Sequence, residues 1–260
     1  EIVAFTTDQA YALSTQQAFA LMTAQLVALE TADFAAITTD DIVALQTAQV
    51  VALTTAEIVA LTTDQAQALA TQQVFALTTA QVVALETQDF VALVTANMSA
   101  LQTAQIAAIT TSQAQALTSA QAVALQTKQV AAIVSADMAA LTTLVVSSLT
   151  SEQIVALRTD QVFALKTQQA VALTTDQLLA METADFAALS TSAIAALATY
   201  TVSVLSSADI IALSSAQAQA ITTGQAYALT TEQVEALETR DAAALSTSSI
   251  AALQTAQIVA

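Results

Sequence analysis

Residues 77–93 read LTTAQVVALETQDFVAL, which is one eight-residue phrase, T-A-Q-V-V-A-L-E from Thr79, followed by a variant, T-Q-D-F-V-A-L-V from Thr87. Stepping outward by eight from Leu85 reaches Phe5 in one direction and Leu253 in the other, and every stop between them is Leu, Ile or Met. The chain of 260 residues is therefore one continuous array of about 32 octads, spanning 1–260 as a single domain without linker or insertion. Numbered from its threonine, place one is Thr or Ser in every copy. Place three is nearly always Gln, Asp, Glu or Asn, and place four is a branched or aromatic apolar residue or Ala. Place six is Ala except at Ser148 and Val204, and place seven is the aliphatic series.

Apolar places four to seven are contiguous, so periodicity alone does not separate helix from strand. Residue type does. Ala, Leu and Gln favour helix, whereas one Gly and no Pro in the whole chain leave a β-solenoid, the alternative fold, without the residues its tight turns require. A single long helix also fails, because eight residues rotate the apolar stripe by about 80° per copy and smear it around the circumference. The pattern predicts about one and a half helical turns and then a sharp corner in each octad. The place-one hydroxyl is the expected N-cap and corner maker. Where place eight is also a hydroxyl, as at Thr54 with Glu57 and Thr78 with Gln81, the spacing predicts a capping box.

One octad cannot fold alone. Ordering its backbone costs about 8–16 kcal/mol, against about 3–6 kcal/mol from burying one Val and one Leu. The expected fold class is thus all-α, an elongated solenoid or superhelix of stacked octads, with the small place-six Ala as a close-contact site between turns.

A longer period overlies the octad. A four-octad stretch beginning TDQAYAL at Thr7 recurs at Thr63, Thr111, Thr159 and Ser215, at steps of 56, 48, 48 and 56 residues. These steps record either gene duplication or a superhelical turn averaging six and a half octads. Phe34, Phe90 and Phe186, with Met138, keep this period at place four and are expected to fill a wider part of the core.

The absence of His and Cys excludes imidazole and thiolate chemistry, zinc fingers and haem-His sites, and no cofactor or metal is expected. Clustered carboxylates, Asp40 with Asp41 and Glu235 with Glu238 and Asp241, are the only material for Ca²⁺ binding or acid–base work. Their positions near helix starts, however, predict a solvated edge favoured by the helix dipole. All acidic residues but Glu235 fall at places eight, two or three, so that edge is expected to be wet. A repeated edge offers no unique cleft, and the chain is expected not to be an enzyme. With 21 acidic residues against Lys128, Arg158, Lys166 and Arg240, a net charge of −17 opposes nucleic-acid binding. The longest apolar run, Ala193 to Ala198, is about six residues where a membrane span needs about 18, so membrane insertion is not expected.

Place five mixes Val, Ala and Phe with Gln67, Gln115, Gln219 and Glu235, which marks it as half exposed. Exposed aromatics there, Tyr11, Phe19, Phe75, Phe163 and Tyr227, are the candidate self-association residues. The expected function is that of an extracellular structural protein forming a rod, fibre or sheath with copies of itself. The alternatives are an adhesin stalk, or a module binding polysaccharide or ice through its hydroxyl lattice.

Two resemblances accompany this reading. LTTAQVVAL at 77–85 resembles the opening of the DNA-reading repeat of TAL effectors, over about one helix, without the second helix or the base-reading pair. Over its whole length the chain more closely resembles the tandem octapeptide arrays of large secreted or surface proteins of proteobacteria. That resemblance implies an extracellular or cell-surface location and brings no catalytic residue. The array opens at Glu1 without Met, so any secretion signal is expected to lie outside it, and it begins and ends inside a repeat. End-to-end continuation is therefore expected.

Overall fold

The computed structural model describes residues 5–259 and contains thirty-two short helices and no strand among them. The octads are all-α, and the β-solenoid alternative is not supported. Helix αn begins at residue 8n − 1, from α1 (Thr7–Tyr11) to α32 (Thr255–Val259), and each helix holds four to six residues. Such helices are too short to persist in isolation.

The corner is made by two residues in extended conformation. In the octad of α10 (Thr79–Ala84), Thr78 precedes the helix at φ −74°, ψ 160°, and Leu85 follows it at φ −56°, ψ 127°. No described residue has positive φ, which is how a chain with a single glycine turns every eight residues.

This geometry corrects the assignment of the cap. The N-cap is place eight, and the invariant Thr or Ser is the first helical residue. Where place eight carries a hydroxyl the expected capping boxes form. Thr78 Oγ1 accepts from the Gln81 amide at 3.2 Å while Gln81 Oε1 accepts from the Thr78 N–H at 2.8 Å. Thr54 and Glu57 repeat the pattern at 3.3 and 2.7 Å. Where place eight has no such oxygen, the reciprocal half persists, with Met22, Ala70 and Lys166 each donating a backbone N–H to the following place-three Gln at 2.8 Å.

The chain forms two compact units, Glu1–Ile133 and Val134–Ala260. Within each unit helices pack three apart along the chain. In the first, α2 (Thr15–Ala20), α5 (Thr39–Ala44), α8 (Thr63–Ala68) and α11 (Thr87–Ala92) make one stack. In the second, α18 (Thr143–Ser148), α21 (Thr167–Ala172), α24 (Thr191–Ala196), α27 (Ser215–Ala220) and α30 (Thr239–Ala244) make another. Each unit is thus a three-sided helical solenoid, with places four and seven turned inward in nearly every octad, Ile250 and Ile258 being exposed.

Phe34, Phe90, Phe186 and Met138 are fully buried. Volume is balanced across turns: the helix carrying Phe34 packs on that carrying Ala10, and the helix carrying Phe90 on that carrying Ala66. Place-six Ala closes most helices and is half-buried at the outer surface, as at Ala52 and Ala84.

Candidate association surface

Place three decides what each corner presents, and here the expected wet edge is corrected. Places two and eight are largely exposed, whereas Asp33, Asp41, Glu57, Asp89, Asp137, Asp185, Asp209 and Asp241 are buried, as is nearly every place-three Gln. The Gln amide joins successive turns. Gln81 accepts the Thr78 N–H through Oε1 and donates through Nε2 to the carbonyls of Val50 and Leu53, 31 and 28 residues earlier, both at 2.8 Å. In the second unit Gln177 does the same to Val146 at 3.0 Å and Leu149 at 2.7 Å, and Gln225 to Ile194 and Leu197 at 2.8 Å. A helix start and the end of a helix one turn below, each with orphaned polar groups, are satisfied by one side chain.

In the long repeat, Asp at place three uses another partner. The carboxylate accepts from the place-one hydroxyl 26 residues earlier: Thr7 to Asp33 at 3.0 Å, and Thr63 to Asp89, Thr159 to Asp185 and Ser215 to Asp241 each at 2.7 Å. These are the first and fourth octads of the long repeat, so the four matched octads close one turn. The superhelical version of the long period is corrected accordingly. Helices stack three apart, so one turn takes about three octads, and a long step of six or seven octads is more than one turn.

The carboxylate clusters do not converge as an acid–base pair or a Ca²⁺ site would. Asp41 is buried and accepts from Thr38 Oγ1 at 2.6 Å, while neighbouring Asp40 is exposed. Glu238 and Asp241 are bridged by Arg240 at 3.3 and 3.0 Å, with the guanidinium holding the Asp241 carboxyl below its usual range. Among the described residues no three His, Cys, Asp or Glu side chains gather as a metal centre requires, and no helix is long and apolar enough to cross a membrane.

Place five carries most of the large apolar side chains on the outside. Tyr11, Phe19, Phe75, Phe163 and Tyr227 are 68, 54, 54, 72 and 60% exposed. The solenoid does not gather them into one patch. In the first unit Tyr11 lies on α1, Phe19 on α2 and Phe75 on α9 (Thr71–Ala76), which belong to three different stacks. In the second, Phe163 on α20 (Thr159–Ala164) and Tyr227 on α28 (Thr223–Ala228) also lie on different stacks. Phe75 lines an apolar groove of about 780 Å³ with Val51, Thr47, Gln72, Ala76 and Ala100. Sequence reasoning missed Leu144 and Tyr200, large, exposed and at place two. The signal was their departure from the small or polar residues usual there.

The repeat can now be compared with known families. The profile of the ALTTAQ repeat matches at 34–71, 42–79, 82–119, 130–167, 178–210 and 202–239. The chain belongs to the ALTTAQ repeat family. No match to a curated protein is found. The six residues that name the ALTTAQ repeat occur verbatim at Ala76–Gln81 and span the corner: the last helical Ala, two extended residues, the first helical Thr, and the Gln that joins the turns. The family motif is the corner and its staple.

Proposed function

We propose that this ALTTAQ array is an extracellular or cell-surface structural protein that associates laterally with copies of itself through place five, building a rod, fibre or sheath. The observation that carries this reading is the recurrence of large exposed apolar side chains at one place of the octad. Phe19, Phe75 and Phe163 stand out from exposed neighbours such as Val43, Val51 and Val171. Exposed apolar side chains recurring on a regular scaffold suit repeated weak contacts better than a single ligand. An acidic chain without cysteine is compatible with an extracellular setting.

The test is electron microscopy with sedimentation velocity on the wild type and on the triple variant Phe19→Gln, Phe75→Gln, Phe163→Gln. Glutamine already occupies place five at Gln67, Gln115 and Gln219, so the variant keeps the fold. The wild type is expected to form filaments or lateral assemblies and the variant to stay dispersed. Monodisperse wild-type particles at micromolar concentration would overturn the reading.

A second reading rests on the place-one hydroxyls. Because they follow the cap, most stand exposed on the surface, as at Thr15, Thr23 and Thr47, a spacing suited to polysaccharide or ice. Binding on a glycan array, or thermal hysteresis, would favour that module. An adhesin stalk would instead be revealed by a distinct terminal domain in a longer reading frame.

A further inference from the structure

Asn97 and Asp89 hold the same place in successive octads and differ by an amide against a carboxylate. Asn97 is satisfied on both sides: Oδ1 accepts from Thr71 Oγ1 at 3.1 Å, and Nδ2 donates to the Leu69 carbonyl, 28 residues earlier, at 2.8 Å. Asp89 Oδ1 accepts from Thr63 Oγ1 at 2.7 Å, but its Oδ2 is buried without a partner. The residue 28 places before Asp89 is Leu61. Its counterparts Leu53 and Leu69 present their carbonyls to the side-chain amide of Gln81 and of Asn97. In the register of the repeat, Asp89 therefore offers an acceptor where Gln81 and Asn97 offer a donor.

No cation lies on the elements around this carboxyl to hold it ionised. Its own helix α11 brings Glu86 at the N-cap, and α8 brings Asp64. The stacked helix α14 (Thr111–Ala116) carries no titratable group, and α7 (Thr55–Val59), whose C-terminal corner contains Leu61, brings Glu57. Asp241, in the equivalent octad of the last long repeat, is different: Arg240 Nε and Nη2 donate to its two oxygens at 3.0 and 3.1 Å.

We propose that Asp89 is a proton-binding joint: its Oδ2 takes up a proton and donates it to the Leu61 carbonyl, so the first unit tightens as the medium becomes acidic. Burial pushes the Asp89 carboxyl above the usual carboxylate range; the Thr63 hydroxyl opposes this and Glu86 adds to it. A carboxyl raised on folding stabilises the folded chain below its unfolded value near 3.8, and that stabilisation is lost as pH rises through the folded value.

The experiment compares thermal melts of the whole chain and of Asp89→Asn across pH, so that every other carboxylate cancels in the difference. Asn97 shows that the place accepts asparagine. At about pH 7.5 the variant is expected to melt about 2–4 °C above wild type, and the gap to close towards about pH 4. Infrared spectra of both chains recorded across the same pH range are expected to show one buried carboxyl stretch that appears in the wild type at higher pH than the exposed carboxyls and is missing from the variant. A gap that is absent, negative or independent of pH, or identical spectra, would overturn the proposal.

Discussion

At the residue scale the molecule depends on one amide. Gln at place three makes up to three hydrogen bonds that no hydrophobic substitute supplies, and two of them satisfy carbonyls at the end of another helix. Gln81→Ala is expected to cost about 2–4 kcal/mol, read from urea unfolding, because it leaves the Val50 and Leu53 carbonyls without that donor. The converse change, Glu57→Gln, is expected to add about 1–2 kcal/mol, since Glu57 Oε1 is buried without a partner where a Gln would place its NH₂. An unchanged stability in both variants would show that the staple contributes nothing. The octad and its capping boxes at Thr54 and Thr78 were legible from spacing alone. The cap was placed one residue late, because threonine stands at both places eight and one in many copies and either hydroxyl suits a cap. The reach of Gln81 to Leu53 was illegible, since it depends on the pitch of the coil and not on local pattern.

At the scale of the element, position four faces inward and position five outward, and chemically identical residues therefore behave differently. Phe90 is fully buried and Phe75 is 54% exposed. Phe90→Ala is expected to destabilise the chain by about 3–5 kcal/mol in denaturant titrations, and Phe75→Ala by less than about 0.5 kcal/mol. Similar losses from both would contradict the assignment of faces. This division was readable in the sequence, because place five tolerates Gln67 and Glu235 and place four does not. The exposure of Leu144 and Tyr200 went unread because their octads depart from the consensus at several places at once. The burial of Asp33, Asp89 and Asp185 also went unread. Charge at a helix start ordinarily means solvent, and only the coil brings Thr7, Thr63 and Thr159 over from the turn below.

For the whole molecule the governing quantity is the length of a turn. Helices pack three apart, so a turn is about three octads, and across it hydroxyls reach 26 residues ahead and amides 28 and 31 residues back. The long repeat then acquires a structural meaning that the sequence alone left open between duplication and superhelix. Its four matched octads close one turn through a hydroxyl and an aspartate, while its steps of six and seven octads exceed one turn. Self-association, by contrast, has to be read in solution, because the five aromatic residues named for it lie on different stacks.

The stacking register can be tested directly in a chain that has no cysteine of its own. Thr159 Oγ1 and Asp185 Oδ1 are 2.7 Å apart across one turn, so a Thr159→Cys, Asp185→Cys pair is expected to be bridged within one chain by a short bifunctional thiol reagent such as dibromobimane. The pair Thr159→Cys, Ala193→Cys, one octad further on, is expected to stay unbridged. Bridging of the second pair but not the first, or of neither in a chain that keeps a helical circular dichroism spectrum, would contradict a coil of about three octads per turn.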